Sequence, residues 1–505
     1  MSLVNRIKLI NMKIDPEAVK LVSPQIIRQN HILPIARTRH SITLAMAQPI
    51  DHQVLDDVRM AAGLDVIPVL ADETEIEMAI GQFLSFRLDP NMEKLINELR
   101  HTSTNADIAD AGSFFPGTDE APIIRLVNHL LLQAVRVHCS DIHIEPQEND
   151  VRVRFRVDGE LYEAFTMPKM SLPAMVSRIK IMGGMDISEK RLPQDGRFRR
   201  TIETRDIDFR ISTLPITNGE KVVIRVLDKS QALTEIKNLG LTDSNQGKLI
   251  ALTQRPHGMI LVTGSTGSGK TTTLYAMLKN LDANSRNIIT LEDPVEYSLV
   301  GINQVQVNSK AGMTFLNGLG SILRQDPDII MVGEIRDHAT AQLAVQAALT
   351  GHLVLSTLHT NNAAGTVARL AEMGIEAFLL AASLVGVVSQ CLVRRLCPHC
   401  RRRYKLNKAT AAAIGLAEEA GQEFYHPAGC NMCRQLGYHG RIALQEIMLV
   451  GPLVRSAINQ GAKLDDIETA AKAEGMTAIR EDGLAKARHG LTSLEEVMRV
   501  IRLEG

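Results

Sequence analysis

The chain has 505 residues, 45% hydrophobic and 22% charged, with 56 basic against 57 acidic side chains and a net charge of −1. At ~100–200 residues per domain this length predicts about three domains, and the composition excludes a disordered, collagen-like or small disulfide-bonded chain. The charge balance argues against a bulk nucleic-acid binder, and 3% aromatic content without tryptophan argues against single-strand binding by base stacking.

Residues 1–95 read as a small α+β N-terminal docking domain. Helical spacing over 15–29 is interrupted at Pro24, and 42–47 alternate as a short strand. Residues 51–63 form a helix closed by Gly63, and 74–86 form a second amphipathic helix. Residues 96–120, rich in Ser, Thr, Asn, Asp, Gly and Pro, read as a linker. A second α+β domain spans 121–230. It opens on a strongly apolar helix and continues in alternating strands, with a hairpin turn at Asp158-Gly159. Arg152, Arg154 and Arg156 share one strand face, and Arg197, Arg210 and Arg225 lie on or next to later strands. From about residue 239, apolar strands alternate with helices, the pattern of a mainly parallel α/β sheet.

Within 231–393, an apolar strand at 259–263 runs into Gly264, Ser265, Thr266, Gly267, Ser268, Gly269, Lys270 and Thr271, then a helix beginning through Thr272. This is G-x-x-x-x-G-K-[ST] in its strand–loop–helix context. The glycines let backbone N–H groups face phosphates, and the helix N-terminus adds partial positive charge. Lys270 reaches the β- and γ-phosphates and Thr271 offers a hydroxyl to Mg²⁺. Two further apolar strands end in acids, one at Glu292 and Asp293 with Glu296 close behind, the other at Glu334. One acid is expected to organise Mg²⁺ and another to polarise the attacking water. A third strand carries His352 and His359; taken singly, each is more often structural, but a His at a strand's C-terminal end is placed to sense the γ-phosphate.

Residues 377–393 are 17 uncharged residues, short of the ~20 a membrane span needs, and read as a buried core helix. With no secretory signal at the N-terminus, a cytoplasmic protein is expected. Four of the six cysteines form two C-x-x-C pairs, Cys397 and Cys400 then Cys430 and Cys433, separated by 29 residues. Paired knuckles in a cytosolic chain point to a tetrahedral Zn²⁺ site and a metal-stapled element over 394–440. Cys139 and Cys391 read as core residues. The five arginines of 394–403 form a solvated basic face or, alternatively, a docking surface for an acidic partner loop or lipid headgroups. A helical region, 441–505, completes the chain.

These motifs resemble the secretion ATPases of type II secretion and type IV pilus assembly, the GspE/PilB group. Four boxes stand in the family's order: Walker A (264–271), an acidic box (290–297), Walker B (322–337) and a His box (350–361). The second domain matches through "CSDIHIEP", "RFRVDG" and "EKRLPQDGRF". At Cys391 the family pattern has Arg (QRLVR, here QCLVR). The resemblance implies a PAS-like second domain, a RecA-like P-loop core and a tetracysteine zinc element. It implies a homo-hexameric ATPase using ATP, Mg²⁺ and Zn²⁺, with Glu334 as the Walker B acid, Glu296 as the catalytic carboxylate and His359 beside the phosphates. Arg210 and Arg225 are implied to neutralise nucleotide phosphate across a domain or subunit boundary. Implied partners are a polytopic inner-membrane platform protein, its cytoplasmic adaptor and, indirectly, a pilin-like filament, with no nucleic acid and with peripheral inner-membrane association. The boxes are shared by type II secretion and pilus-extension motors. The tetracysteine element weighs against a pilus-retraction ATPase, and the neutral charge against a DNA-transfer ATPase of conjugation or competence. The N-terminal domain lacks the tandem "RLGxxL"-type motifs of cyclic-di-GMP binders, so protein docking is its expected role.

Overall fold

A computed structural model describes residues 30–47, 52–73, 122–228, 234–433 and 436–504, with scattered positions elsewhere up to residue 95. The expected linker, 96–120, and most of the helices expected at 15–29 and 74–86 lie outside the described residues. The chain divides into two units: Met1–Ser230 with Cys397–Arg401 and Pro427–His439, and Gln231–Leu396 with Arg402–His426 and Gly440–Gly505.

In the first unit, β1 (Ile32–Arg37) pairs antiparallel with β2 (Ser41–Met46), and β3 (Asp65–Leu70) runs parallel to β2. The crossover is α1 (His52–Ala62), which Gly63 ends at φ +65°. The second domain comprises α2 (Pro122–Arg136), β4 (Asp141–Pro146), β5 (Asp150–Val157), β6 (Glu160–Pro168), α3 (Leu172–Gly183), β7 (Gln194–Ile202), β8 (Arg205–Ile216) and β9 (Gly219–Asp228). Its six strands form one antiparallel sheet, ordered β6-β5-β4-β9-β8-β7. Strand β5 alternates strictly: Val151, Val153, Phe155 and Val157 join a core with α2 and α3, and the arginines between them take the other face. The β5–β6 turn holds Asp158 at φ +50° and Gly159 at φ +94°, as the Asp-Gly pair predicts.

The second unit holds α4 (Asp243–Thr253), β10 (Gly258–Thr263), α5 (Lys270–Lys279), β11 (Ile288–Glu292), β12 (Asn303–Gln306), α6 (Phe315–Ile322), β13 (Ile329–Val332), α7 (His338–Leu349), β14 (Leu353–Leu358), α8 (Ala363–Glu372), α9 (Ala377–Ser383) and β15 (Leu384–Leu396). After β15 come β16 (Arg402–Lys405), α10 (Lys408–Ala413), β17 (Glu423–His426), β18 (Tyr438–Leu449), α11 (Pro452–Asn459), α12 (Leu464–Ala473), α13 (Ile479–Arg488) and α14 (Leu494–Glu504). A seven-stranded sheet runs β12-β11-β13-β14-β10-β15-β18 and is parallel from β12 to β15. Strands β10, β11, β13 and β14 are buried along their full lengths, as two-sided covering by helices requires.

Two sequence expectations are corrected here. Residues 377–393 are not one core helix: seven residues of helix α9 give way to the 13-residue strand β15. A continuous apolar run looks the same to periodicity as helix or buried strand. Here β-branched Val385, Val387 and Val388 and the free edge of β10 decide for strand. Residues 441–449, grouped with the C-terminal helices, are strand β18 at the edge of the main sheet. The segment between the cysteine pairs, β16–α10–β17, packs through Leu406, Ala411, Leu416 and Phe424 against Ile479, Leu484, Leu494 and Val497 of α13 and α14.

Candidate active site and cysteine cluster

The phosphate loop leaves the C-terminal end of β10, in the middle of the parallel sheet. Gly264, Gly267 and Gly269 stand at φ +141°, +80° and +90°, which the loop needs in order to curl back on itself. Lys270, first residue of α5, folds over the loop and donates to the carbonyls of Gly264 (2.8 Å) and Ser265 (3.0 Å). Burial lowers its pKa, and the nearby Glu334 carboxylate opposes that shift. Thr271 and Thr272 are exposed in the first turn of α5, and Ser268 is buried beneath the loop.

Strand order brings the other boxes to this edge, because β14 lies between β10 and β13. Glu334, two residues past β13, is half-buried; it pairs with Arg336 and sits 3.7 Å from Nε2 of His359, the first residue past β14. The Walker A lysine, Walker B acid and His-box histidine thus meet at one sheet edge. His352 is elsewhere: its Nδ1 lies 2.9 Å from the Ala347 carbonyl, at the end of α7. This is the structural role weighed for a lone histidine.

The acidic box splits by burial. Glu292, 3% exposed, accepts from Thr290 Oγ1 (2.6 Å), Gln304 Nε2 (3.0 Å) and the Tyr275 hydroxyl. Burial and this carboxylate together raise the Tyr275 pKa. All its visible partners are internal, so Glu292 braces β11 and β12 behind the site. Asp293 and Glu296 follow on the more open stretch after β11.

In the second domain the arginines are better organised than spacing suggested. Arg197, Arg210 and Arg225 are direct cross-strand neighbours on β7, β8 and β9, and Arg225 in turn faces Asp141, which faces Arg156. Asp141 lies within this row, at 3.2 Å from Arg225 Nε and 3.7 Å from Arg156 Nε. Like charges set side by side in a sheet repel, so such a row suits an anion. Glu145, in a neighbouring cross-strand row, is ion-paired: against its burial, Arg154 at 2.8 Å and Lys221 at 3.1 Å hold its pKa down at about 2.

The four knuckle cysteines converge. Their sulfurs all lie within 4.8 Å of one another, with Cys397–Cys430 at 3.8 Å and Cys400–Cys433 and Cys430–Cys433 at 3.7 Å. A tetrahedral ion with Zn–S bonds of ~2.3 Å needs sulfurs about 3.8 Å apart. Backbone N–H groups of Cys430 (3.2 Å) and Gly437 (3.1 Å) also donate to Cys433 Sγ. Contacts with the Cys397 and Cys430 sulfurs, then these N–H groups, draw the Cys433 thiol down, while burial and then the neighbouring Cys433 charge push Cys400 up. Cys139 is a buried core residue, as expected, its pKa raised to about 12 by that burial. Cys391 is half-buried against the core that includes α13 and α14. Of the arginine cluster, Arg394 is held by buried Glu496 at 2.7 Å, and Arg403 lies 5.6 Å from the Tyr425 ring centre.

A P-loop at the end of a parallel strand, with a histidine delivered by the adjacent strand β14 and an acid by β13 beyond it, defines a P-loop ATPase with a RecA-like core. The type II/IV secretion system protein family profile matches residues 117–499, and the chain belongs to that family. The MshEN domain profile matches residues 4–90. The type II secretion system protein E of Dickeya dadantii is 50% identical over 82% of this chain and 82% of its own length. That of Aeromonas hydrophila is 46% identical over 92% and 93%. The type IV pilus assembly ATPase PilB of Myxococcus xanthus is 41% identical over 98% and 88%. Among solved structures, the pilus retraction motor PilT with bound ADP superposes with a TM-score of 0.51 at 25% identity, covering 74% of this chain and 96% of that one. The Legionella pneumophila ATPase DotB, at 20% identity and TM-score 0.56, shares the fold.

Sequence reasoning missed two features. It did not see the register that aligns Arg197 with Arg210 and Arg225. It also passed over Gln390, a polar residue closing the apolar run at 384–388 that turns out to lie under the phosphate loop.

Proposed function

We propose that this chain is the hexameric, cytoplasmic motor ATPase of a type II secretion system. It would be held at the inner membrane by a platform protein and its adaptor, and would drive assembly of a pilin-like filament. The observation that supports the motor chemistry most directly is the meeting of Lys270, Glu334 and His359 beside the P-loop. The backbone of 264–269 and Lys270 bind the phosphates, and Thr271 with Glu334 holds Mg²⁺, which supplies charge neutralisation when bound. Glu296 orients the attacking water, and His359 reads the γ-phosphate through its neighbour Glu334. Arg210 and Arg225, on the anion-suited row of the second domain, meet charge that grows in the transition state. Cys397, Cys400, Cys430 and Cys433 hold one structural Zn²⁺, since four thiolates leave no position for a reacting water. The N-terminal domain docks on the adaptor.

The type II assignment over pilus extension rests on identities of 46–50% to type II proteins. Pilus extension is the second reading, favoured by the PilB match over 98% of this chain. In the source bacterium with this gene deleted, wild-type chain should restore export of folded proteins and Lys270→Ala should not. Restored pili with unchanged export would replace the first reading by the second.

A further inference from the structure

Beneath the phosphate loop runs a line of buried polar groups that passes through the side chain of Gln390, the side chain and then the backbone N–H of Gln445, and Asp482. Gln390, on β15, donates through Nε2 to the Ser268 carbonyl at 2.8 Å. Its Oε1 accepts from Thr273 Oγ1 on α5 (2.8 Å) and from Gln445 Nε2 on β18 (3.2 Å). The Gln445 backbone N–H donates to Asp482 Oδ2 on α13 (2.9 Å), which also receives Lys486 Nζ at 2.7 Å; Lys486 reaches the Ala443 carbonyl at 2.7 Å. Ser268, Thr273, Gln390, Gln445 and Asp482 are each at most 2% exposed. Both lone pairs of the Gln390 oxygen are used, so its amide has one orientation and cannot flip without stranding buried donors.

The loop is fitted to this residue at both ends. A side chain at Gly264 would place its Cβ 2.2 Å from the Gln390 carbonyl oxygen, and one at Gly269 would lie 3.2 Å from Gln390 Nε2. In a trans peptide the C=O and N–H point opposite ways. Holding the Ser268 carbonyl down therefore turns the Gly269 N–H up, towards the concave side of the loop where phosphate is expected.

We propose that Gln390 is a positioning residue for nucleotide binding: its amide fixes the Ser268–Gly269 peptide and, through Gln445 and Asp482, joins the phosphate loop to helix α13, so that loop and helix become ordered together when nucleotide binds. The proposal rests on the P-loop being the nucleotide site. Gln445 is gripped at its amide by Gln390 and at its backbone N–H by Asp482, so fixing the loop around phosphate restrains the far end of the line as well.

The test uses the full-length protein, with steady-state ATPase kinetics and amide hydrogen exchange of residues 479–488 with and without Mg-ATP. In wild type, nucleotide should slow exchange in α13. Gln390→Leu, which removes two buried partners from the loop side, should raise KM about tenfold with kcat within threefold, and should abolish the nucleotide-dependent slowing. Gln445→Met cuts the line one residue further on; it should raise KM about threefold and also abolish the slowing, which keeps the proposal testable if Gln390→Leu fails to fold. A general loss of packing would instead speed exchange equally with and without nucleotide. Wild-type KM in Gln390→Leu, or undiminished slowing in both variants, against a Lys270→Ala control that no longer binds, overturns the relay alone. A Lys270→Ala protein that binds nucleotide like wild type overturns the relay together with the nucleotide site.

Discussion

At Lys270 and Glu334 the local chemistry makes separable demands. Lys270 already holds its ammonium over the loop at 2.8 Å from the Gly264 carbonyl, where a phosphate oxygen would compete for it. Glu334 pairs with Arg336 and lies close enough to Lys270 to act on its charge, where a Mg²⁺ shell would need a carboxylate. Lys270→Ala should therefore lose nucleotide binding by titration, whereas Glu334→Gln should bind and lose at least ~100-fold in turnover. Equal turnover in purified Lys270→Ala and wild type would remove the site. A second residue-scale consequence concerns acid. The Glu145 pKa is held at about 2 because Arg154 and Lys221 outweigh its burial. A depressed carboxylate contributes stability above its unfolded value, 4.5, and that contribution drains away as pH falls towards 2. Between pH 5 and pH 3 the wild-type melting midpoint should fall by about 2–4 °C more than that of Glu145→Gln. Parallel pH profiles would show the pairing to be idle.

The cysteine cluster acts at the scale of an element. The knuckles bracket β16–α10–β17, whose Leu406 and Phe424 share a core with α13 and α14. Four buried sulfurs, all within 4.8 Å of one another, cannot all ionise without a cation between them. Purified protein should contain one zinc per chain. Cys430→Ser/Cys433→Ser should lose the metal, increase proteolysis within 402–426 and abolish export, while nucleotide binding survives because the P-loop is built on β10 and α5. Zinc near zero with four rapidly alkylated thiols would refute the site; full export by the double variant would refute its importance. The switch from α9 to β15 belongs to this scale too. It places Ser389 opposite Thr263 in register, and so sets Gln390 beside the loop.

For the whole molecule, the arginine row and the P-loop belong to different units of the chain, each with its own core. If the row supplies charge to a neighbouring subunit's nucleotide, activity per chain should rise with protein concentration. Two inactive chains, Arg210→Ala and Lys270→Ala, should regain a measurable fraction of activity when mixed, because some interfaces then pair an intact row with an intact loop. Concentration-independent turnover by a strict monomer would contradict this arrangement.

Much was legible without coordinates, for a physical reason. The P-loop, the Asp158-Gly159 turn, the alternation of β5 and the paired C-x-x-C knuckles are short-range: glycine φ, side-chain parity and ligand spacing are set within a few residues. Hence residues 264–272 and the four cysteines could be named from the chain alone. Tertiary structure decided what depends on neighbours distant in sequence. Whether 384–396 is strand or helix rests on the free edge of β10. Whether Glu292 or Glu334 faces the loop rests on strand order and burial, and the charge row exists only once Arg197, Arg210 and Arg225 are in register. The line from Ser268 to Asp482 likewise joins residues more than 200 positions apart, and no local propensity encodes which buried polar groups will satisfy one another.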